Sequence, residues 1–214
     1  MGYRELFFDL DGTISDSAEG ILNSVIYALG CMGIEAPPRE NLYRFIGPPL
    51  IRSFSQGVDL SEEEARRAVA FYRENYNVRG IYECRAYEGI GEILHALKAK
   101  GYRLTLATCK PWGMAERVLE HLGLRELFDF VSGPELDGTR NEKHEVIAYA
   151  MESLGIKDPR EILMIGDRRD DVLGAKRCGI GCVGVLWGFG SETELLEAGA
   201  IGVVKTPRDL LEFL

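Results

Sequence analysis

Leu6-Phe7-Phe8-Asp9-Leu10-Asp11-Gly12-Thr13 runs an apolar stretch into two acids and a glycine. Apolar residues followed by glycine read as a buried strand that ends in a loop. Side chains at i and i+2 of a strand point the same way, so Asp9 and Asp11 are expected to converge at its carboxyl end. Open α/β sheets place their ligands there. Two like charges held close are costly unless a metal ion, a shared proton or a substrate compensates. The plain alternative is a solvated acidic turn, so the decision rests on what stands at the other strand ends.

Outward from this stretch the chain changes character twice. Between about 16 and 85 it reads as helical, with Ile21, Leu22, Val25, Ile26 and Leu29 at helical spacing and Gly30 or Gly33 as the stop. Ser61-Glu62-Glu63-Glu64 is a capping box, opening a helix with Ala65, Ala68, Val69, Tyr72 and Tyr76 along one stripe. From Tyr87 onward helices predicted over about 89–100, 112–122, 142–154 and 171–178 alternate with strands at 102–107, 128–131, 162–165, 180–185 and 201–204. Such alternation implies a parallel sheet covered on both faces. The first strand needs the later ones to form a sheet, so the helical block is an insertion. The fold class is therefore α/β, a Rossmann-like parallel sheet core (1–15 and 86–214) with a helical cap domain (16–85) inserted after the first strand.

The later strand ends carry chemistry of a matching kind. One predicted strand ends at Thr108, and Pro111 is placed as the first residue of the next helix. A hydroxyl and free N–H groups at such a start can hold an anion, although a simple N-cap threonine is the plainer reading. Lys143 falls in the first turn of the helix over 142–154, where a cation is unfavourable unless it meets an anion. Met164-Ile165-Gly166-Asp167-Arg168-Arg169-Asp170-Asp171 runs a strand directly into acids. Hard cations such as Mg²⁺ take a few carboxylate oxygens, with water and phosphate completing the shell, and Asp9 and Asp167 on adjoining strands could supply them. Asp170 reads as an ordinary acid at a helix start. Gly179-Ile180-Gly181-Cys182-Val183-Gly184 matches the dinucleotide fingerprint in letters only, because its glycines fall within a strand rather than opening a helix. His95, His121 and His144 are scattered and form no triad.

Composition narrows the partners. The 214 residues carry a formal charge of −9, which disfavours a nucleic-acid polymer or an anionic membrane surface. A small phosphorylated molecule is compatible, since a few local cations and a metal reverse the field inside one pocket. Five cysteines, an odd number without CxxC spacing, suit reduced thiols in a cytoplasmic protein. Met1-Gly2-Tyr3-Arg4-Glu5 leads straight into the first strand without the pattern of a signal peptide.

Asp9-Leu10-Asp11-Gly12-Thr13, Thr108, Lys143 and Gly166-Asp167-…-Asp171, in this order and at these gaps, resemble the four signatures of the haloacid dehalogenase-like phosphatase superfamily. The resemblance covers essentially the whole chain. Phe45-Ile46-Gly47-Pro48-Pro49-Leu50, Ala107-Thr108-Cys109-Lys110-Pro111, Leu136-Asp137-Gly138-Thr139-Arg140 and Gly184-Val185-Leu186-Trp187-Gly188 are similar to the phosphoglycolate phosphatase-like branch, which also holds bacterial 5′-nucleotidases. The resemblance implies a Mg²⁺-dependent phosphatase of a small cytosolic phosphomonoester. Asp9 would be the nucleophile that forms an aspartyl-phosphate, and Asp11 the acid for the leaving alkoxide and then the base for water. Mg²⁺ would be held by Asp9, the Asp11 main-chain carbonyl and Asp167, with Asp171 acting through water. Thr108 and Lys143 would bind the transferring phosphoryl oxygens. The expected partner is a small phosphorylated metabolite, met by a monomer or a homodimer.

Within the superfamily, a dehalogenase lacks the acid that Asp11 provides. A phosphonatase needs a cap lysine, and the first lysine of this chain is Lys98, beyond the cap. A β-phosphoglucomutase-like enzyme usually has Glu-Asp where Gly166-Asp167 stands here. A receiver-type signalling module is shorter and has no helical insertion. For substrate contacts beyond the phosphate, Gly47, Pro48 and Arg52 in the cap and Arg140 beside the core are candidates, with Arg44 and Arg73 weighed alongside; each arginine could equally be a solvated one.

Overall fold

In the computed structural model, residues 2–214 are described. The chain runs from β1 (Glu5–Phe8) and β2 (Ser15–Asp16) into three helices, α1 (Ala18–Cys31), α2 (Leu50–Gly57) and α3 (Glu62–Tyr76), and returns through β3 (Arg85–Ala86). It then alternates through α4 (Ile90–Ala99), β4 (Arg103–Ala107), α5 (Trp112–His121), β5 (Phe130–Ser132), α6 (Lys143–Ser153) and β6 (Ile162–Gly166). The last elements are α7 (Arg169–Arg177), β7 (Gly181–Val185), α8 (Glu192–Ala198), β8 (Gly202–Val204) and α9 (Leu210–Phe213). Two compact units result, Asp16–Arg85 and the rest.

The larger unit is built on a six-stranded sheet of order β5-β4-β1-β6-β7-β8, parallel throughout. Strand order reverses at β1: the chain builds outward through β4 and β5 on one side, then starts again with β6 on the other. β1 and β6 are buried along their whole length, as expected of central strands covered on both faces. Leu6, Phe7 and Phe8 alone each contribute on the order of 2 kcal/mol by leaving water. Phe7 and Met164 join Val146, Ile147 and Ala150 of α6 and Val172 and Ala175 of α7 in one core cluster. Phe8 meets Phe128 edge to face at 6.3 Å.

The smaller unit is helical and holds its own core. Ser61 accepts a bond from the Glu64 N–H while Glu64 accepts from the Ser61 N–H, so the capping box read in the sequence is formed. Gly33, not Gly30, ends α1: it adopts φ +70 and lets the Ile34 N–H reach back to the Leu29 carbonyl. Phe45 packs on Phe54 at 5.0 Å, and Tyr72 stacks on Tyr76 at 5.2 Å.

Several expectations shift. Pro111 is not inside α5 but the residue before it, with extended ψ of 130°. Helices α8 and α9 go beyond those expected from sequence. A Ser191–Glu194 cap and the left-handed Gly199 at its end mark α8 in hindsight. The Gly179–Gly184 run lies in a turn and in β7.

Candidate active site

β1 stops at Phe8, one residue before the first acid. The Asp9 N–H still continues the ladder to the Ile165 carbonyl at 2.9 Å, and then the chain folds over: Thr13, Ile14 and Ser15 all donate to the Leu10 carbonyl. Asp11 therefore sits in a turn, and its placement comes from that turn rather than from strand alternation. Gly12, at φ +95, makes the turn possible.

Six charged side chains collect at the carboxyl ends of β1, β4 and β6, all buried: Asp9, Asp11, Lys110, Lys143, Asp167 and Asp171. Lys143 opens α6 and points its Nζ at Asp9 Oδ1 and Asp171 Oδ1, both at 2.6 Å, and at the Ala107 carbonyl at 2.9 Å. The anion that its helix-start position calls for is a pair of carboxylates. Asp171 also accepts from the Arg168 N–H at 3.0 Å, capping α7. Asp167 accepts from the Phe189 N–H at 2.8 Å and from the Thr13 hydroxyl at 3.4 Å. Thr108, buried after β4, donates its N–H to Ser132 and accepts from the Lys110 N–H.

Asp9, Asp167 and Asp171 each offer an oxygen within 4.8 Å of the others. Asp11 is held apart by Lys110, whose Nζ takes its two oxygens at 2.9 and 2.6 Å. Among these buried groups four carboxylates face two ammonium groups. The excess is the charge of one divalent cation, and hard oxygen donors in a buried cluster fit Mg²⁺.

The electrostatics show the strain of that excess. Burial lifts the Asp9 carboxyl to about 6, although Lys143 pulls it back, and Asp171 adds to the rise. Burial, with Asp171 and Asp9 beside it, holds Asp167 well above the usual carboxylate range. Burial also opposes the charge on Lys143, but Asp171 and Asp9 outweigh it and keep the ammonium well above its ordinary value. Cys109 is pushed up to about 12 by desolvation and by Asp9 and Asp171, so it remains a thiol.

Room for the acids is made by missing side chains. A Cβ on Gly12, Gly188 or Gly190 would run into Asp167, and one on Gly174 would run into the stem of Lys143. The loop after β7 is further tied down by Trp187, whose Nε1 donates to the Thr13 carbonyl at 3.0 Å.

The chain matches the haloacid dehalogenase-like hydrolase model over residues 6–185. It belongs to that family. A 5′-nucleotidase of Pseudomonas aeruginosa is 46% identical over 193 residues, 90% of this chain and 87% of that protein. The tyrosine-protein kinase PtkA of Mycobacterium tuberculosis is 38% identical over 188 residues, 86% of this chain but 62% of its own length. A crystal structure of a predicted phosphatase from Clostridium acetobutylicum superposes with a TM-score of 0.95 at 42% identity, covering 99% of this chain and 100% of that one. The chain is thus a phosphatase of the haloacid dehalogenase-like hydrolase family.

Of the residues the sequence singled out, Asp9, Asp11, Thr108, Lys143, Asp167 and Asp171 all lie in the larger unit at the strand ends just described. Gly47, at φ +102, and Pro48 precede α2, and Arg52 lies in its first turn, all in the smaller unit. Arg140 of the phosphatase, with φ +64, gives its Nη2 to Glu135 at 2.6 Å and lies 4.0 Å over the ring of Tyr149. Lys110 was not singled out. Its local signal is the one Lys143 carries, a cation beside a helix start, but the acid it meets lies far away in sequence. Among the described residues no helix is long and apolar enough to cross a membrane.

Proposed function

We propose that this phosphatase is Mg²⁺-dependent and hydrolyses a small phosphomonoester through an aspartyl-phosphate on Asp9, with a nucleoside monophosphate as the first substrate class to test. The observation that carries the reading is the separation of the two acids: Asp9 belongs to the three-carboxylate cluster and Asp11 does not. Two acids kept in different surroundings can do different work. A bound Mg²⁺, held by Asp9, Asp167 and the Asp11 main-chain carbonyl, with Asp171 behind them, would cancel the repulsion between an anionic nucleophile and an anionic ester.

In the first step an Asp9 oxygen attacks phosphorus. The bond from phosphorus to the ester oxygen breaks, its electron pair stays with that oxygen, and Asp11 supplies the proton that makes it an alcohol. In the second step Asp11 takes a proton from water, the water oxygen attacks phosphorus, and Asp9 leaves as a carboxylate. Lys143 and Thr108 would bind the equatorial phosphoryl oxygens, where charge gathers in the transition state.

The nucleotidase name of the Pseudomonas relative and the resemblance to phosphoglycolate phosphatases define the substrate screen. Phosphoglycolate and sugar phosphates accompany the nucleoside monophosphates in it. Gly47, Pro48, Arg52 and Arg140 are the candidate contacts beyond the phosphate. The kinase activity named for PtkA is not carried over, since more than a third of that protein lies outside the match. Five free cysteines support a reducing, cytoplasmic setting.

The test is release of p-nitrophenol from p-nitrophenyl phosphate with Mg²⁺ and with EDTA, beside an Asp9→Asn control. Turnover that needs both Mg²⁺ and Asp9 supports the reading. Turnover equal in the control sinks it. Transfer of phosphate between sugar positions in place of release would favour a mutase.

A further inference from the structure

We infer that Lys110 is a positioning residue that fixes the carboxyl group of Asp11 for its part in phosphoryl transfer, an inference that rests on the phosphatase reading above. Lys110 Nζ holds the Asp11 oxygens at 2.9 and 2.6 Å, with the two side chains only 6% and 10% exposed. With both oxygens on one ammonium, the carboxyl group is held in place. The lysine stem is anchored in turn. Its N–H donates to the Thr108 hydroxyl at 3.2 Å, and its carbonyl packs so closely on Gly133 that a Cβ there would collide with it.

The geometry divides the site between two cations. Lys143 reaches Asp9 and Asp171 from the start of α6, while Lys110 reaches Asp11 from the loop between β4 and α5. Acids only two positions apart in sequence are thus drawn to different partners. An acid that hands a proton to a leaving oxygen is effective only when held close to its productive geometry, and small misplacements cost on the order of 100-fold.

Positioning of the acid makes a prediction that general support of the fold does not. Loss of Lys110 hurts esters whose leaving oxygen needs a proton and spares those whose leaving oxygen does not. The experiment measures kcat/KM for phenyl phosphate and p-nitrophenyl phosphate, two esters of similar shape and different leaving-group basicity, in wild type, Lys110→Met, Lys110→Arg, Asp11→Asn and the Lys110→Met/Asp11→Asn double variant. The expected result is a loss on phenyl phosphate about 10-fold or more beyond that on p-nitrophenyl phosphate for Lys110→Met, within the roughly 100- to 10,000-fold range of a general acid. Lys110→Arg should recover part of it. In the Asp11→Asn background, Lys110→Met should add little.

Equal losses on both esters overturn the inference, as does a full second loss in the Asp11→Asn background. If Lys110→Met does not melt cooperatively, Lys110→Arg decides alone, because it keeps the charge and changes the donor geometry. Its loss must then be larger on phenyl phosphate, and an even loss overturns the inference. Failure of the underlying reading looks different, since wild type would then turn over neither ester with Mg²⁺.

Discussion

Lys143 Nζ stands 2.6 Å from Asp9 Oδ1 across 134 positions of sequence, and the same ammonium bonds Asp171 at the same distance. One cation therefore binds two of the three acids that could hold a metal. Removing it leaves buried like charges facing one another, and breaking a buried pair of this kind costs about 3–5 kcal/mol. Lys143→Met is expected to lose roughly that much stability in EDTA, measured by urea denaturation, and to recover part of it on addition of Mg²⁺. A stability equal to wild type in EDTA would contradict this account of the site.

Asp167→Asn should move metal-free stability and metal binding in opposite directions. The native carboxyl is held well above its usual range by burial and by Asp171 and Asp9. Replacing it with a neutral group of the same shape relieves that repulsion. Denaturation in EDTA at pH 7 is expected to show a gain on the order of 1 kcal/mol. Calorimetric titration with Mg²⁺ is expected to show at least about a 10-fold loss of affinity, the lower end of what even an indirect ligand contact is worth.

Acidity should stabilise the metal-free site through Asp9. Its carboxyl titrates near 3.8 when unfolded and is raised to about 6 in the fold. Between those values the native state binds the proton more readily. This contribution is complete below 3.8 and is lost as pH rises through about 6. The stability difference between wild type and Asp9→Asn in EDTA should therefore shift in favour of the variant from pH 4 to pH 7. A difference independent of pH would rule out the raised Asp9.

Gly188→Ala places a methyl group against the Gly12 carbonyl and the Asp167 side chain. Overpacking of this sort costs about 1–3 kcal/mol, so cooperative unfolding should survive. Metal binding, which needs Asp167 where it stands, should weaken by more than the stability does in relative terms. Parallel melting and calorimetry of the variant separate the two effects.

Much of this was legible in the chain. The Ser61–Glu64 box, the stripe on α3 and the alternation after Tyr87 follow from local periodicity and capping, which act within a few residues. The meeting of Asp9 with Asp167 and Lys143 was legible more indirectly, through strand ends that a parallel sheet brings to one edge. What local reading missed has long-range causes. The turn that sets Asp11 is stabilised by three N–H groups on the Leu10 carbonyl, and Lys110 finds Asp11 across 99 positions. Arg140 lies over Tyr149 with its charge against Glu135, a pairing no spacing rule announces.

Gly12, Gly188 and Gly190, from two loops far apart in sequence, leave around Asp167 a mould that any methyl group would fill. A related chain could keep every aspartate and both lysines, acquire one alanine at such a position, and be inert while looking complete. Comparing chains of this kind by their charged residues alone counts the furniture and ignores the room.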